Sequence, residues 1–261
     1  MLPIIKMTNV NFGYNVDCPI LNCISASIMP GQLITLLGPN GVGKSTLLNC
    51  ITGLINKVQG EIMLCGNKIS ELSSKNIARK IAYVSQKTSV SFDYSVMDFV
   101  LMGRTSNLNI FSTPKTEDYI SAESALEQLD VLDFKDRKIS ELSGGEQQKV
   151  CIARAIVQNP ELIIMDEPTS ALDYGNQIRV LKLITQLSKK GYAVLMTTHN
   201  PEHPLLLNSD VWILNREGKL ECGTCETMIT EEKLHDLYDT NICLSFVPKA
   251  RRTACVVCPI E

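Results

Sequence analysis

The 261-residue sequence has no excess of charge of either sign: 25 Lys and Arg stand against 28 Asp and Glu, a formal net charge of −3. That balance excludes a chain whose whole surface is a nucleic-acid footprint. No uninterrupted apolar run approaches the roughly 20 residues that a bilayer-spanning helix needs. The segment from Met1 to Val10 lacks a basic stretch followed by a long apolar one. No export signal is read there, and the chain is expected in the cytosol. If it works at a membrane, another polypeptide does the spanning. There is no internal repeat and no low-complexity tract. What is present is ordinary globular composition, 44% apolar and 20% charged, which excludes disorder over most of the length. The length suits one large domain or two closely merged ones.

Cysteine is plentiful, with ten residues. Without an export signal they read as free, mostly buried thiols. Two C-x-x-C pairs, Cys222 with Cys225 and Cys255 with Cys258, leave open a structural Zn²⁺ or an iron–sulfur cluster. The stretch between the pairs is longer than is usual for zinc.

Short apolar runs alternate with longer amphipathic ones. Residues 33–37, 162–165, 193–197 and 211–214 read as buried strands. Residues 46–52 and 176–190 read as helices, the second with Ile178, Leu181, Ile184 and Leu187 on one face and Gly191 at its end. Such alternation predicts an α/β fold with a mostly parallel sheet covered on both faces. The first 30 residues and 60–66 are short, alternating and Gly-punctuated, which suits a small antiparallel sheet. Pro114 opens an amphipathic helix, and about 87–149 reads as a helical insertion. From about 220 onward no clear period is visible.

Gly38-Pro39-Asn40-Gly41-Val42-Gly43-Lys44-Ser45-Thr46 fits the phosphate-loop pattern in full, between an apolar strand and a helix. Glycines let the backbone wrap phosphates, and the helix N-terminus adds partial positive charge. Lys44 is expected to reach terminal phosphates, and Ser45 to ligate Mg²⁺. The run Glu161 to Glu167 is an apolar strand delivering Asp166 and Glu167 at its carboxyl end, where open α/β sheets bind ligands. Asp166 suits the surroundings of Mg²⁺, and Glu167 suits a base that polarises water. Before that strand, Leu142-Ser143-Gly144-Gly145-Glu146-Gln147-Gln148 opens a helix with a hydroxyl, bare N–H groups and a positive dipole end, a second anion site.

The phosphate loop together with Ser143, Gly144, Gly145 and Glu146 resembles the ATP-binding cassette (ABC) family, and the resemblance runs from about residue 4 to about 230. It implies a single cassette: a P-loop NTPase core, an N-terminal antiparallel β-subdomain and the helical insertion, with residues 220–261 outside its guidance. It also implies that Tyr14 stacks on adenine and that Gln86 joins Ser45 and Asp166 around Mg²⁺. Glu167 and His199 become the catalytic groups, and Asp173 belongs to the D-loop. The Ser143 segment is expected to act in trans, in a head-to-tail homodimer that holds two ATP molecules. Lys149 replaces the more usual arginine.

Phe92 to Arg104 and Thr197-Thr198-His199-Asn200-Pro201-Glu202-His203 look like cassettes of metal-chelate importers, which carry iron complexes, haem, cobalamin or molybdate and tungstate. Asn107 to Lys115, then Asp118-Tyr119, is similar to molybdate-type members. His203 matches no catalytic position of the cassette, unlike His199, and reads as structural. The resemblance implies an ATPase subunit at the cytoplasmic face of a membrane. It would work with permease subunits, indirectly with a substrate-binding protein, and with no nucleic acid. Phe92, Tyr94, Val96, Phe99 and Met102 form an apolar stripe that suits either a groove for a permease helix or the insertion's own core. A non-transport ABC ATPase, such as one for iron–sulfur cluster assembly, is the alternative.

Overall fold

The computed structural model describes residues 2–15, 19–86, 94–106 and 113–257. An antiparallel sheet comes first. It contains β1 (Ile5–Phe12), β2 (Leu21–Ile28), β4 (Gln59–Leu64) and β5 (Asn67–Lys68), in the order β2-β1-β4-β5. Between its strands the chain enters the central sheet through β3 (Leu33–Leu37) and turns into α1 (Lys44–Ile51). After α2 (Ser74–Ala78) come β6 (Ile81–Val84), then α3 (Val96–Leu101), α4 (Thr116–Glu127) and α5 (Gly144–Val157). Strand β7 (Leu162–Met165), α6 (Tyr174–Lys189), β8 (Ala193–Thr198), α7 (Glu202–Leu207), β9 (Asp210–Leu214) and β10 (Leu220–Gly223) follow.

The central sheet runs β10-β9-β3-β8-β7-β6, parallel throughout except at β10, so the expected α/β architecture is the observed one. Every residue of β3, β7 and β8 is buried, because helices or the small sheet cover both faces. Side-chain alternation divides the core. Leu162, Ile164 and Leu195 point toward α1 and the small sheet, while Ile163, Met165, Val194 and Met196 point toward α3, α4, α5 and α6.

The helical insertion forms, but α5 continues to Val157, so the expected boundary near 149 falls inside a helix. Val96 and Phe99 of the apolar stripe are buried in the insertion's core, whereas Tyr94 and Met102 are exposed. Phe92 and most of 107–115 lie outside the described residues. Gly103 lies in the short turn after α3, against α5: a Cβ there would sit 2.2 Å from the Arg154 carbonyl oxygen.

The stretch after 220, which showed no period, is structured. Beyond β10 it forms α8 (Cys225–Met228), α9 (Glu231–Tyr238) and a hairpin of β11 (Ile242–Val247) and β12 (Arg252–Val257). Met228, Ile229, Leu234 and Leu237 pack under β9 against Val211 and Ile213. Both hairpin edges are capped by carboxylates. The Leu244 N–H donates to Glu231 Oε1 at 2.7 Å, and the Cys255 N–H donates to Glu202, which also pairs with Arg252 at 2.7 Å. An edge strand whose N–H groups are so occupied is blunted against further pairing.

Candidate phosphate and ATP site

Strand β3 ends at Leu37, and the chain wraps to α1 through the glycine-rich loop. Gly41 and Gly43 have φ of 80° and 111°, a region that residues with a Cβ seldom enter. The loop lines a cavity of ≈ 410 Å³ through Asn40, Gly41, Gly43, Lys44, Ser45 and Thr46, and Gln86 and Glu167 close it. Lys44 is buried, with 6% of its side chain exposed. Its Nζ donates to the carbonyls of Gly38 at 2.8 Å and Pro39 at 3.1 Å.

Glu167 is the meeting point of the site. Lys44 Nζ lies 3.4 Å from its Oε1. Gln86 Nε2 donates to its Oε2 at 3.0 Å, and His199 Nδ1 lies 3.6 Å from the same oxygen. Its backbone has φ of 45°, left-handed for a non-glycine residue, which costs on the order of 1–3 kcal/mol and clusters at functional positions. Beside it, Asp166 Oδ2 accepts from Ser45 Oγ at 3.1 Å and from Tyr83 Oη at 3.0 Å. Asp166 Oδ1 accepts from Thr197 Oγ1 at 2.7 Å, and Thr197 Oγ1 accepts the Glu167 N–H at 2.8 Å. Burial and the Asp166 charge push the Tyr83 hydroxyl well above its ordinary value, so it stays a donor.

The turn carrying His199 is held by His203, which is 4% exposed. His203 Nδ1 shares a hydrogen bond with Thr198 Oγ1 at 2.8 Å, and the Asn200 N–H donates to the same hydroxyl at 3.1 Å. Burial, with the charge of His199 second, pushes the His203 imidazole down to about 4. His203 therefore fits the structural reading.

The remaining expected residues sit elsewhere. Tyr14 is 68% exposed and packs edge-on to Phe12 at 5.1 Å, outside the cavity wall. Val42 packs against the core cluster around α1. Ser143, Gly144, Gly145 and Glu146 open α5 on the other subdomain, and none lines the cavity. Ser143 caps that helix. Its N–H and its hydroxyl each donate to Glu146 Oε2 at 2.8 Å, which holds the Glu146 carboxyl below its ordinary value. Asp173 caps α6 by accepting the Asn176 N–H at 2.9 Å, and that bond holds its carboxyl low. Among the described residues no group of three or more His, Cys, Asp or Glu side chains is placed to hold a metal ion. Cys225 and Cys255 share one apolar cluster, and Cys258 lies outside the described residues.

The structure adds Tyr83 and Thr197 to the site. A parity signal was available in the sequence: Leu162, Ile164 and Asp166 share one strand face, as do Ala193, Leu195 and Thr197. Only the strand order reveals that β6, β7 and β8 are neighbours.

A glycine-rich loop at a helix N-terminus, a buried lysine and two acids at the carboxyl end of β7 define a P-loop nucleotide-binding protein. The comparisons narrow this. Residues 21–170 match the family model described as ABC transporter. A probable iron chelatin transport ATP-binding protein of Helicobacter pylori is 36% identical over 239 residues, covering 91% of this chain and 93% of its own. The molybdate import ATP-binding protein MolC of Haemophilus influenzae is 34% identical over 235 residues, covering 90% and 87%. A solved chain from an ABC transporter in an inward-facing conformation, described as of the metal-chelate type, superposes with a TM-score of 0.87. That chain is 32% identical, and the match covers 99% of this chain and 98% of the other. This chain belongs to the ABC transporter family as one of its ATP-binding cassettes, and ATP is the nucleotide it binds. No helix among the described residues is long and apolar enough to cross a membrane.

Proposed function

We propose that this chain hydrolyses ATP with Mg²⁺, and that as a head-to-tail dimer at the cytoplasmic face of a membrane it drives permease subunits importing a metal chelate or an oxyanion. The observation that carries the reading is the convergence of Lys44, Gln86 and His199 on Glu167. Hydrolysis of a terminal phosphate is chiefly positioning and charge stabilisation, and those groups supply both.

The donor set fits Mg²⁺: a serine hydroxyl, a carboxylate and an amide oxygen are hard oxygen ligands. Ser45, Asp166 and Gln86 would hold it, and it would neutralise charge developing on the phosphates. Lys44, hydrogen-bonded to the carbonyls of Gly38 and Pro39, would turn its ammonium to the terminal phosphates. The Glu167 carboxylate beside it would orient and polarise water. His199, half exposed at the rim, steadies the terminal phosphate. The Ser143 segment of a second copy completes each site, and Asp173 lies at that junction.

The metal-chelate and oxyanion assignment rests on relatives that carry iron chelatin and molybdate at nearly equal identity. Such a tie suits a cassette whose cargo is chosen by other chains. The test is a detergent pull-down from the native host with tagged Glu167→Gln chain, followed by mass spectrometry. The variant is expected to bind ATP, to remain dimeric with it, and to bring down a polytopic membrane protein in equal number. Undiminished turnover in Glu167→Gln would overturn the catalytic assignment. A soluble iron–sulfur scaffold as partner would overturn the importer.

A further inference from the structure

The Asp166 carboxylate is gripped from both sides by residues that the mechanism above does not use. On β6, Tyr83 Oη donates to Oδ2 at 3.0 Å. On β8, Thr197 Oγ1 donates to Oδ1 at 2.7 Å. The three residues stand on three adjacent parallel strands, and all three point to the α1 face. That placement follows from register: Tyr83 pairs with Ile164, and Ile164 pairs with Leu195, so Asp166 and Thr197 lie one side-chain repeat further along their strands on the same face. Thr197 is fully buried and reaches a second target, the Glu167 N–H, at 2.8 Å. One hydroxyl thus joins the side chain of one acid to the main chain of the next.

We infer that Tyr83 and Thr197 are positioning residues that orient the Asp166 carboxylate toward Mg²⁺, and that Thr197 in addition fixes Glu167 relative to it. The inference rests on the Mg²⁺-dependent hydrolysis proposed above. Ser45 also donates to Oδ2, but its hydroxyl is itself one of the expected ligands. Once Ser45 turns to the cation, Tyr83 and Thr197 still hold one oxygen each, and a carboxylate pinned at both oxygens cannot rotate about its Cβ–Cγ bond. Groups that hydrogen-bond a ligating side chain orient it, and their loss typically costs about 10- to 100-fold in metal affinity or activity. Neither hydroxyl is needed to fill space, since phenylalanine and valine have nearly the same shapes.

The test uses the full chain with Tyr83→Phe, Thr197→Val and Thr197→Ser. In a Glu167→Gln background with ATP present, Mn²⁺ is the probe, and electron paramagnetic resonance reads its free fraction. Tyr83→Phe is expected to weaken Mn²⁺ retention about 10-fold, while ATP affinity in EDTA stays as in the parent. With Glu167 restored, the Mg²⁺ concentration for half-maximal hydrolysis rises by a similar factor, and kcat at saturating Mg²⁺ falls far less. Thr197→Val shows the same shift with a larger fall in kcat, because Glu167 is released too, and Thr197→Ser recovers both. Unchanged Mn²⁺ retention with only a lowered melting temperature would overturn the inference, leaving both residues structural. If the unaltered chain shows no Mg²⁺-dependent hydrolysis, the proposed function fails, and the Mn²⁺ measurement still decides this point.

Discussion

The His203 imidazole makes a pH prediction that can be worked through. It is buried behind the His199 turn, bonded to Thr198, and pushed from 6.5 down to about 4 by burial, with His199 adding repulsion and Glu202 opposing it. The folded chain thus resists a proton that the unfolded chain accepts. Stability rises with pH wherever the unfolded state binds more protons, so it is intact above about 6.5 and falls as pH drops toward 4. At pH 5 the unfolded chain carries that proton almost fully and the folded chain hardly at all. The loss from this one group is then about 2 kcal/mol, at about 1.4 kcal/mol per pKa unit. Many carboxylates begin to titrate in the same range, so the measurement must be a difference. Urea unfolding of the unaltered chain and of His203→Gln, at pH 7.5 and pH 5, supplies it. The glutamine variant is expected to be the less stable at pH 7.5, having lost the Thr198 contact. It should lose about 2 kcal/mol less than the unaltered chain on going to pH 5. Parallel losses would refute the argument and mean that His203 is protonated in the folded chain without cost.

Two further outcomes follow from the packing. Gly103→Ala drives a Cβ into the Arg154 carbonyl and Val157, so the turn after α3 must move off α5; the cost is about 1–3 kcal/mol, seen as a melting temperature lower by several degrees. An unchanged melting temperature would show that the contact yields freely. Among the described cysteines, the exposed Cys23 and Cys243 should react first with a thiol reagent at pH 8. Fully buried Cys50, whose thiol burial pushes up to about 12, should react only on unfolding. Early reaction of Cys50 would indicate that α1 opens in the native chain.

The sequence located the groups around the phosphate loop more clearly than the architecture that carries them. The phosphate loop and the acidic strand end are local: each needs only one strand and one turn, so Lys44, Ser45, Asp166 and Glu167 were legible. Even the antiparallel sheet was in part, because Ile5 and Met7 of β1 and Ile62 and Leu64 of β4 alternate with less buried neighbours, whereas β2 buries Leu21, Ile24 and Ile28 at irregular spacing. Tyr83 and Thr197 were not, since their meaning depends on which strands are neighbours. The tail was illegible for another reason. Its hairpin is half exposed on both strands, and its order comes from Glu231, Glu202 and the cluster under β9 rather than from any period of its own. The insertion's helices were visible, but not where α5 ends, because the helix continues past the signature without a break.

The cap at the start of α5 has a consequence for assembly. Ser143 gives both its N–H and its hydroxyl to Glu146, so a phosphate brought to α5 by a second copy, as proposed above, would meet a resident carboxylate. Occupancy there becomes a competition. Free phosphate, held by nothing else, must evict that carboxylate unaided. A triphosphate already anchored on the Lys44 loop of another copy meets the same rival with its far end secured. In the dimer proposed above, such a contest would reject stray anions while admitting the one that brings a second subunit with it.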